Sequence, residues 1–507
     1  MISDRLKKIN KLPLFLYLLP LFFVLHGFTE NYFLVPVPDS ILLLLKYLFG
    51  ALVLHVIFFF LFKRNNYRAT FFSFVLLLVY FFFGAFHDTI KSLLPGSFFA
   101  KYSFVLPFIF LIISLAFIVV RRKKMFVKPT LYLNLLFIIL ISTEVFILSG
   151  KILKYDRQHQ LKSINNEFTL CDTCNKPDIY LIVADEYAGE KTLHDLYNFD
   201  NTAFLNQLKE RKFHVIKNSI SNYNITPVSI ASLLNINYPQ YKGKELSDIA
   251  MSPIYNLIDT DVLVPFFRFH GYKFINNSVF TVNGQPPLAT QSFTPVNTGI
   301  IESQTLINRL MRDLGYLLIK WRILKTNRKD DYTVLGNNNK ILKNIKEQVI
   351  QKPKKPVFSY SHLTMPHFPY YYNRKGQPYP PSTLRLETEW MEGHLFEDHY
   401  LEYLLYTNGV LIDLLDFILK HSKKPPVIIL ISDHGFRHFT KKVHEEYDFY
   451  NLNATFLPDQ YNPKFMDGMS NLSYMRNLLN LLFNQHLAED KQTRYYIPIP
   501  IRRNVEE

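Results

Sequence analysis

At 507 residues the chain is too long for one small domain, and length alone points to two or more. A formal net charge of +15 has meaning only once the charge is located along the chain. Two cysteines, Cys171 and Cys174, exclude a disulfide-built scaffold and a zinc module with only cysteine ligands.

The first 150 residues carry most of the excess of phenylalanine. They hold five apolar stretches, Leu12–Phe28, Ile41–Phe62, Ala69–Phe86, Tyr102–Val120 and Leu131–Leu148. A bilayer crossing needs about 20 residues. The first stretch is short for a span, but no small-residue cleavage site follows it and four more stretches do, which argues against a signal peptide. Basic residues alternate between the connections. Arg5, Lys7, Lys8 and Lys11 precede the first stretch, Lys63, Arg64 and Arg68 follow the second, and Arg121, Arg122, Lys123, Lys124 and Lys128 follow the fourth. Residues 29–40 hold no Lys or Arg, and 87–101 hold only Lys91 and Lys101. The pattern predicts a cytoplasmic N-terminus and an extracytoplasmic chain after Gly150. Part of the positive charge is therefore a topology signal, not a footprint for nucleic acid. Lys46, His55 and Glu144 fall inside the stretches and are functional candidates there; for Glu144, near a span end, snorkelling is the simpler reading.

Residues 151–176 form a polar juxtamembrane linker, suited to a helix lying on lipid headgroups. Cys171 and Cys174 close it, and a disulfide fits an extracytoplasmic setting better than a redox motif or half a zinc site. From Pro177 the pattern becomes alternating strands and helices. Strands are predicted at Ile179–Ala184, Phe213–Lys217, Tyr272–Ile275, Val357–Ser361 and Val427–Ile431. Helices are predicted at Thr202–Lys212, from Ser229, at Val262–His270 and at Tyr400–His421. Such alternation predicts a mostly parallel sheet between helices over 177–507. Residues 280–350 are less regular and are expected as insertions over the sheet.

Three predicted strands end in residues suited to metal or acid–base chemistry: Asp185-Glu186, His362, and Asp433-His434 before Gly435. Ligands of open α/β sheets gather at the carboxyl ends of strands. Thr226-Pro227-Val228-Ser229 reads as a helix start, with Pro227 at the first helical position. Thr226 is there either as a helix cap or as a nucleophile held where helix N–H groups meet an anion.

Taken in order, these motifs resemble the alkaline phosphatase superfamily in its sulfatase-like branch, and within it the five-span lipoteichoic acid synthases and phosphoethanolamine transferases. Ile182-Val183-Ala184-Asp185-Glu186 resembles the first metal-ligand strand, Thr226-Pro227-Val228-Ser229 the Thr-x-x-Ser of the transferases, and Ser432-Asp433-His434-Gly435 the last ligand pair. The resemblance covers essentially the whole chain. It implies that Asp185, Thr226, Asp433 and His434 bind a divalent ion, zinc or manganese, in a site for one or two ions. Thr226 would also be the attacking group. His362 or His367, in a segment resembling the family's substrate loop, would protonate a leaving group or hold the anion. Glu186, Arg437, His438 and His444 are further candidates, with His444 preferred over His438; Arg374 reads more simply as a surface residue. Sulfatases oxidise a Cys or Ser to an aldehyde, which Thr cannot yield, so Thr226 points to phosphoryl-type transfer.

The expected function is transfer of a phosphoethanolamine or phosphoglycerol group from a membrane lipid to an envelope glycan or lipid, with no role for nucleic acid. A phosphoester hydrolase with the same site, and a non-catalytic membrane protein that binds an envelope component, are the alternatives.

Overall fold

The computed structural model of the chain describes residues 12–32, 35–94, 97–122, 127–162, 168–239, 251–289, 298–311, 314, 333–351, 353–379, 394–439, 442–489 and 492–498. The basic residues Arg5, Lys7, Lys8, Lys11, Lys123 and Lys124 lie outside them. By its contacts the chain divides into two compact units. One is Met1–Arg157 with Phe293–Asn327, and the other is Gln158–Ser292 with Arg328–Glu507.

The first unit contains helices α1 (Phe15–Glu30), α2 (Val37–Leu61), α3 (Asn66–Leu93) and α4 (Tyr102–Arg122), and all but the last five residues of α5 (Val127–Lys162). Among the described residues four helices are long and apolar enough to cross a membrane, and α1, with 16 residues, is apolar but shorter. Pro38 lies in the first turn of α2, and Asn65 caps α3 by accepting from Arg68 N–H. The polar residues inside the apolar stretches find partners. Glu144 meets His26 Nδ1 at 2.8 Å, His55 Nδ1 meets Thr70 Oγ1 at 3.3 Å, and Lys46 Nζ meets Glu302 at 2.6 Å. Within apolar surroundings each such pair removes the cost of an unmatched polar group. Residues 298–311 thus belong with these helices, not with the insertions over a sheet that their composition suggested.

The second unit is built on a six-stranded sheet in the order β2-β6-β5-β1-β4-β3. The strands are β1 (Ile179–Ala184), β2 (Phe213–Val215), β3 (Lys273–Asn277), β4 (Val357–Leu363), β5 (Val427–Ile431) and β6 (Asn453–Phe456). β3, β4, β1 and β5 run parallel, and β6 lies antiparallel between β5 and β2. Sequence reading missed β6. Its four residues, Asn-Ala-Thr-Phe, are too short and too polar to show a periodicity.

Every residue of β1 and β5 is buried. Side chains alternate across a strand, so two cores result. Ile179, Leu181 and Val183 join Val427, Ile429 and Ile431 on one face. Tyr180, Ile182 and Ala184 join Ile428 and Leu430 on the other. Each fully buried aliphatic side chain contributes roughly 1.5–3 kcal/mol, which is why the two strands read as continuous apolar runs. The helices covering the sheet include α6 (Glu190–Tyr197), α7 (Thr202–Glu210), α8 (Thr226–Asn235), α9 (Met251–Asp259), α10 (Leu263–Phe269), α11 (Thr333–Gln351), α12 (His394–His421) and α13 (Asn471–Phe483). Cys171 and Cys174 are joined in a disulfide just ahead of β1.

Candidate active site

β1, β4 and β5 are in register, with Val183 opposite both His362 and Ile431. Their carboxyl ends therefore finish at one level. Asp185 follows β1, His362 is the next-to-last residue of β4, and Asp433 and His434 follow β5. α8 brings Thr226 to the same place. Ile225 occupies the cap position and Thr226 is the first helical residue, with no capping bond from Ile225. The Thr226 hydroxyl instead lies 3.0 Å from His434 Nε2.

These side chains form a first cluster. His362 Nε2–H donates to Asp185 Oδ2 at 3.3 Å, and His434 Nε2 lies 3.3 Å from Asp433 Oδ2 and 3.7 Å from Asp185 Oδ1. His434 Nδ1 lies 2.8 Å from the carbonyl of Gly435. A carbonyl only accepts, so the hydrogen sits on Nδ1 and the Nε2 lone pair faces Thr226 and the two carboxylates. Asp185 Oδ1 and Asp433 Oδ2 are buried and have no hydrogen-bond partner among the described residues. Donor atoms of Asp185, His362 and Asp433 lie within 4.8 Å of one another. Two carboxylate oxygens, an imidazole nitrogen and a hydroxyl oxygen suit zinc or manganese, and the unpartnered oxygens are what a bound cation would satisfy.

The backbone around the cluster is close-packed. A Cβ at Gly435 would stand 2.6 Å from Tyr450 O and 2.8 Å from Tyr447 O. Only glycine lets the chain turn there directly behind His434.

Glu186 leaves the first cluster. Its backbone N–H donates to Asp433 Oδ1 at 3.1 Å, but its residue is left-handed, with φ of 62°, and its carboxylate enters a second group. There His438 Nε2 lies 3.2 Å from Oε1, His367 Nε2 lies 3.6 Å from Oε2, and Arg437 Nε lies 3.5 Å from Oε1. His367 Nδ1–H donates to its neighbour's carbonyl, Phe368 O, at 2.7 Å. Glu186, His367 and His438 also present donor atoms within 4.8 Å of one another.

The remaining candidates lie elsewhere. The His444 side chain is 73% exposed and faces Glu446, so His438 and not His444 joins the site. Arg374 pairs with Glu402 on the surface. Three supporting residues had no role assigned from the sequence, Ser229 among them although it belongs to the Thr226 motif. Tyr360 OH lies 3.2 Å from His362 Nδ1. Ser229 Oγ donates to Asp433 O at 2.5 Å. Tyr400 OH donates to Glu186 O and accepts from Ala188 N–H, both at 2.9 Å. The first two had a signal: Tyr360 shares a strand face with His362 at two residues' spacing, and Ser229 shares a helix face with Thr226 at three.

Charge in the site is strongly coupled. Burial by itself would raise the Asp185 carboxyl, but His367, His362 and His434 outweigh it and hold it below the usual range. Glu186 is likewise held well below its usual value, with His438, His367 and Arg437 overcoming burial. Burial opposes a charge on His362, yet the bond to Asp185 and the charges of Asp185 and Asp433 raise it. Burial and the nearby Arg437 lower His434, which keeps its ring neutral and able to ligate. Burial also lowers His438.

The Sulfatase family model matches residues 177–458, more than half of the chain. No curated protein matches it. Solved structures similar to it include the C-terminal periplasmic domain of EcEptC from Escherichia coli in complex with Zn, at 14% identity over 66% of this chain and 93% of that one, with a TM-score of 0.39. The integral membrane protein lipooligosaccharide phosphoethanolamine transferase A (EptA) from Neisseria meningitidis is 14% identical over 95% of this chain and 96% of its own, with a TM-score of 0.39. The phosphonate monoester hydrolase SpPMH from Silicibacter pomeroyi is 14% identical over 63% and 75%, with a TM-score of 0.39. The extent of the family match settles the assignment: the chain belongs to the sulfatase family.

Proposed function

We propose that this protein is a membrane-anchored transferase that moves a phosphoethanolamine- or phosphoglycerol-type group from a membrane lipid to an envelope glycan or lipid, with Thr226 as the nucleophile. The N-terminus is cytoplasmic and the sheet-bearing unit extracytoplasmic in this reading. One observation carries it. The Thr226 hydroxyl, 3.0 Å from His434 Nε2, stands at a helix N-terminus beside two buried carboxylates with unpartnered oxygens. A threonine side chain cannot become the aldehyde a sulfatase uses, so the site is kept for a phosphoryl group.

Asp185, Asp433, His434 and Thr226 would hold a divalent ion, zinc or manganese. Such an ion, when bound, lowers the pKa of a hydroxyl it touches and offsets charge on a phosphoryl group. The N-terminus of α8, where Thr226 lies, is the end of the helix that would favour the phosphoryl oxygens. Thr226 Oγ1 forms its bond to phosphorus as the bond from phosphorus to the lipid alcohol breaks. The hydroxyl hydrogen leaves to solvent, and the departing alcoholate takes a hydrogen from His367. In the second half an acceptor hydroxyl bonds to phosphorus, returns a hydrogen to His367 and frees Thr226, which recovers its hydrogen from solvent. Arg437, beside Glu186, supplies positive charge near the transferring group. Glu186, His367 and His438 are also a donor set for a second ion; with a second ion there, His367 would serve as its ligand and the departing alcoholate would take its hydrogen from solvent.

The test uses the full chain in detergent with phosphatidylethanolamine or phosphatidylglycerol and no acceptor. Mass spectrometry of the peptide containing Thr226 should show the corresponding phosphodiester adduct. Release of free phosphoethanolamine or phosphoglycerol without any adduct would favour the hydrolase. Absence of both adduct and bound divalent ion would favour the non-catalytic reading.

A further inference from the structure

Residues 298–311 are more than 130 positions beyond the end of α5, yet they pack against the helices of the first unit. Ile301, only 2% exposed, joins the core of α1, α2 and α3. A Cβ on Gly27 of α1 would stand 2.9 Å from Ile301 Cγ1, so α1 has glycine where this segment presses. On α3, Gly84 N–H donates to Gln304 O at 2.8 Å, and a Cβ on Gly84 would stand 2.7 Å from that oxygen. One turn further along α3, Asp88 takes both terminal nitrogens of Arg309, whose side chain is 6% exposed and whose Nε donates to Ser303 O at 3.0 Å. On α2, Lys46 meets Glu302 at 2.6 Å. Leu306 packs with Phe83, Val105 and Ile109 of α3 and α4. Four helices are thus held by one short segment, through shape at two glycines and through two ion pairs.

Lys46 is a charge inside an apolar stretch and for that reason a functional candidate. Its partner comes from 256 positions away. Charges at membrane depth persist where they are matched, and a bidentate arginine with a buried side chain is costly to strip of its carboxylate. The segment also shows an apolar side away from the helices, since Ile307 and Met311, four apart, are 58% and 45% exposed. That spacing is one face of a helical turn, and it suits a lipid interface.

We propose that residues 298–311 are a second membrane attachment, a strap seated in the helix bundle and bedded in the lipid interface. The chain passes between its two units three times, after Arg157, after Ser292 and after Asn327. A protein tethered only through α5 would lose its second unit when that one connection is cut. This chain keeps it, because the strap is continuous with the second unit on both sides.

The experiment inserts a site for a sequence-specific protease within residues 163–167 of the full chain, in membranes. After cleavage, the fragment beginning near Phe168 should stay with the membranes through an alkaline carbonate wash. Gly27→Leu with Gly84→Leu keeps α1 and α3 apolar but fills the two contact points, and should release the cleaved fragment. Because that variant alters packing, a second measurement stands beside it. Gly27→Cys with Ile301→Cys brings together Cβ positions 3.3 Å apart by construction, near the roughly 3.8 Å of a disulfide. Oxidation with copper–phenanthroline should link the two fragments on a non-reducing gel. Release of the fragment from the unsubstituted protein, equal retention with both leucines present, or failure of the cysteines to link would each overturn the proposal.

Discussion

Asp185 and Glu186 are consecutive, yet their carboxylates stand in different clusters, Asp185 with His362 at 3.3 Å and Glu186 with His438 at 3.2 Å. A strand that simply continued would send the two side chains to opposite faces of the sheet. β1 has ended at Ala184, however, and the left-handed backbone at Glu186 turns its side chain into the next group while its N–H still bonds Asp433. The paired acids therefore serve two groups of histidines instead of one ion.

The separation gives the first prediction. Asp185→Asn should remove the divalent ion of the first cluster and abolish turnover. Glu186→Gln should keep that ion and still lose most of the rate, because His367 and His438 lose their shared carboxylate. Metal content of the two purified variants, read against turnover, checks this. Equal loss of the same ion from both would mean that the two carboxylates share one site.

His362 and His367 should separate in the same way. His362 is 1% exposed, with one ring nitrogen at Asp185 and the other at Tyr360. Neither nitrogen is left for a substrate, so His362 positions the Asp185 carboxylate. Loss of such a support typically costs 10–100-fold in metal affinity. His362→Gln should therefore weaken metal binding by about that factor, and excess metal should restore kcat. His367→Gln should lower kcat in a way that added metal does not repair. A kcat at His362→Gln that stays low at saturating metal would assign that histidine to the chemistry.

Much of this arrangement was legible in the sequence, and the reasons are local. β1 and β5 are continuous apolar runs, so both their burial and their carboxyl ends could be read, and with them Asp185, Asp433 and His434. Thr226 was legible through the proline that follows it. What escaped depends on how the chain turns after those elements. Nothing in Asp-Glu encodes that Glu186 is left-handed, and the choice between His438 and His444 rests on a loop, not on a period. The strap escaped for another reason. Ile301, Gln304 and Arg309 look like an ordinary loop until Gly27, Gly84 and Asp88 are beside them, more than 200 positions earlier. Long-range pairing of that kind leaves no trace in local periodicity.

Asp178 supplies a pH dependence away from the metal candidates. Its carbonyl accepts from Val427 N–H and its Oδ1 from Val357 N–H, both at 2.8 Å, so one residue ties the starts of β1, β4 and β5 together. Burial raises its carboxyl above the ordinary value of 3.8, partly opposed by the bond from Val357. The sign follows. A carboxyl raised in the fold stabilises fully below its unfolded value, and that stabilisation is lost as pH rises through the folded value. Asp178→Asn keeps the acceptor oxygen and removes the ionisation. Relative to the unsubstituted protein it should therefore gain thermal stability as pH is taken upward from about the ordinary aspartate value to neutrality. Asp178→Ala leaves Val357 N–H unsatisfied and should cost roughly 1–3 kcal/mol. Thermal unfolding of the three forms in detergent at acid and neutral pH reads this directly, and a pH-independent gap between Asp and Asn would refute it.

Thr226 carries the last prediction, because its position separates chemistry from folding. A threonine at a helix start is ordinarily a cap, and losing a cap costs about 1 kcal/mol. Here Ile225 holds the cap position and the Thr226 hydroxyl points at His434 Nε2. Thr226→Ala should then leave thermal stability within about 0.5 kcal/mol of the parent while abolishing turnover. Thr226→Ser keeps the oxygen but loses the methyl that restricts its rotamer, so it should retain a measurable fraction of the rate, with the deficit in kcat and not in KM. A pair that lost stability together, or an alanine variant that kept full turnover, would remove Thr226 from the reaction and leave water as the attacking group.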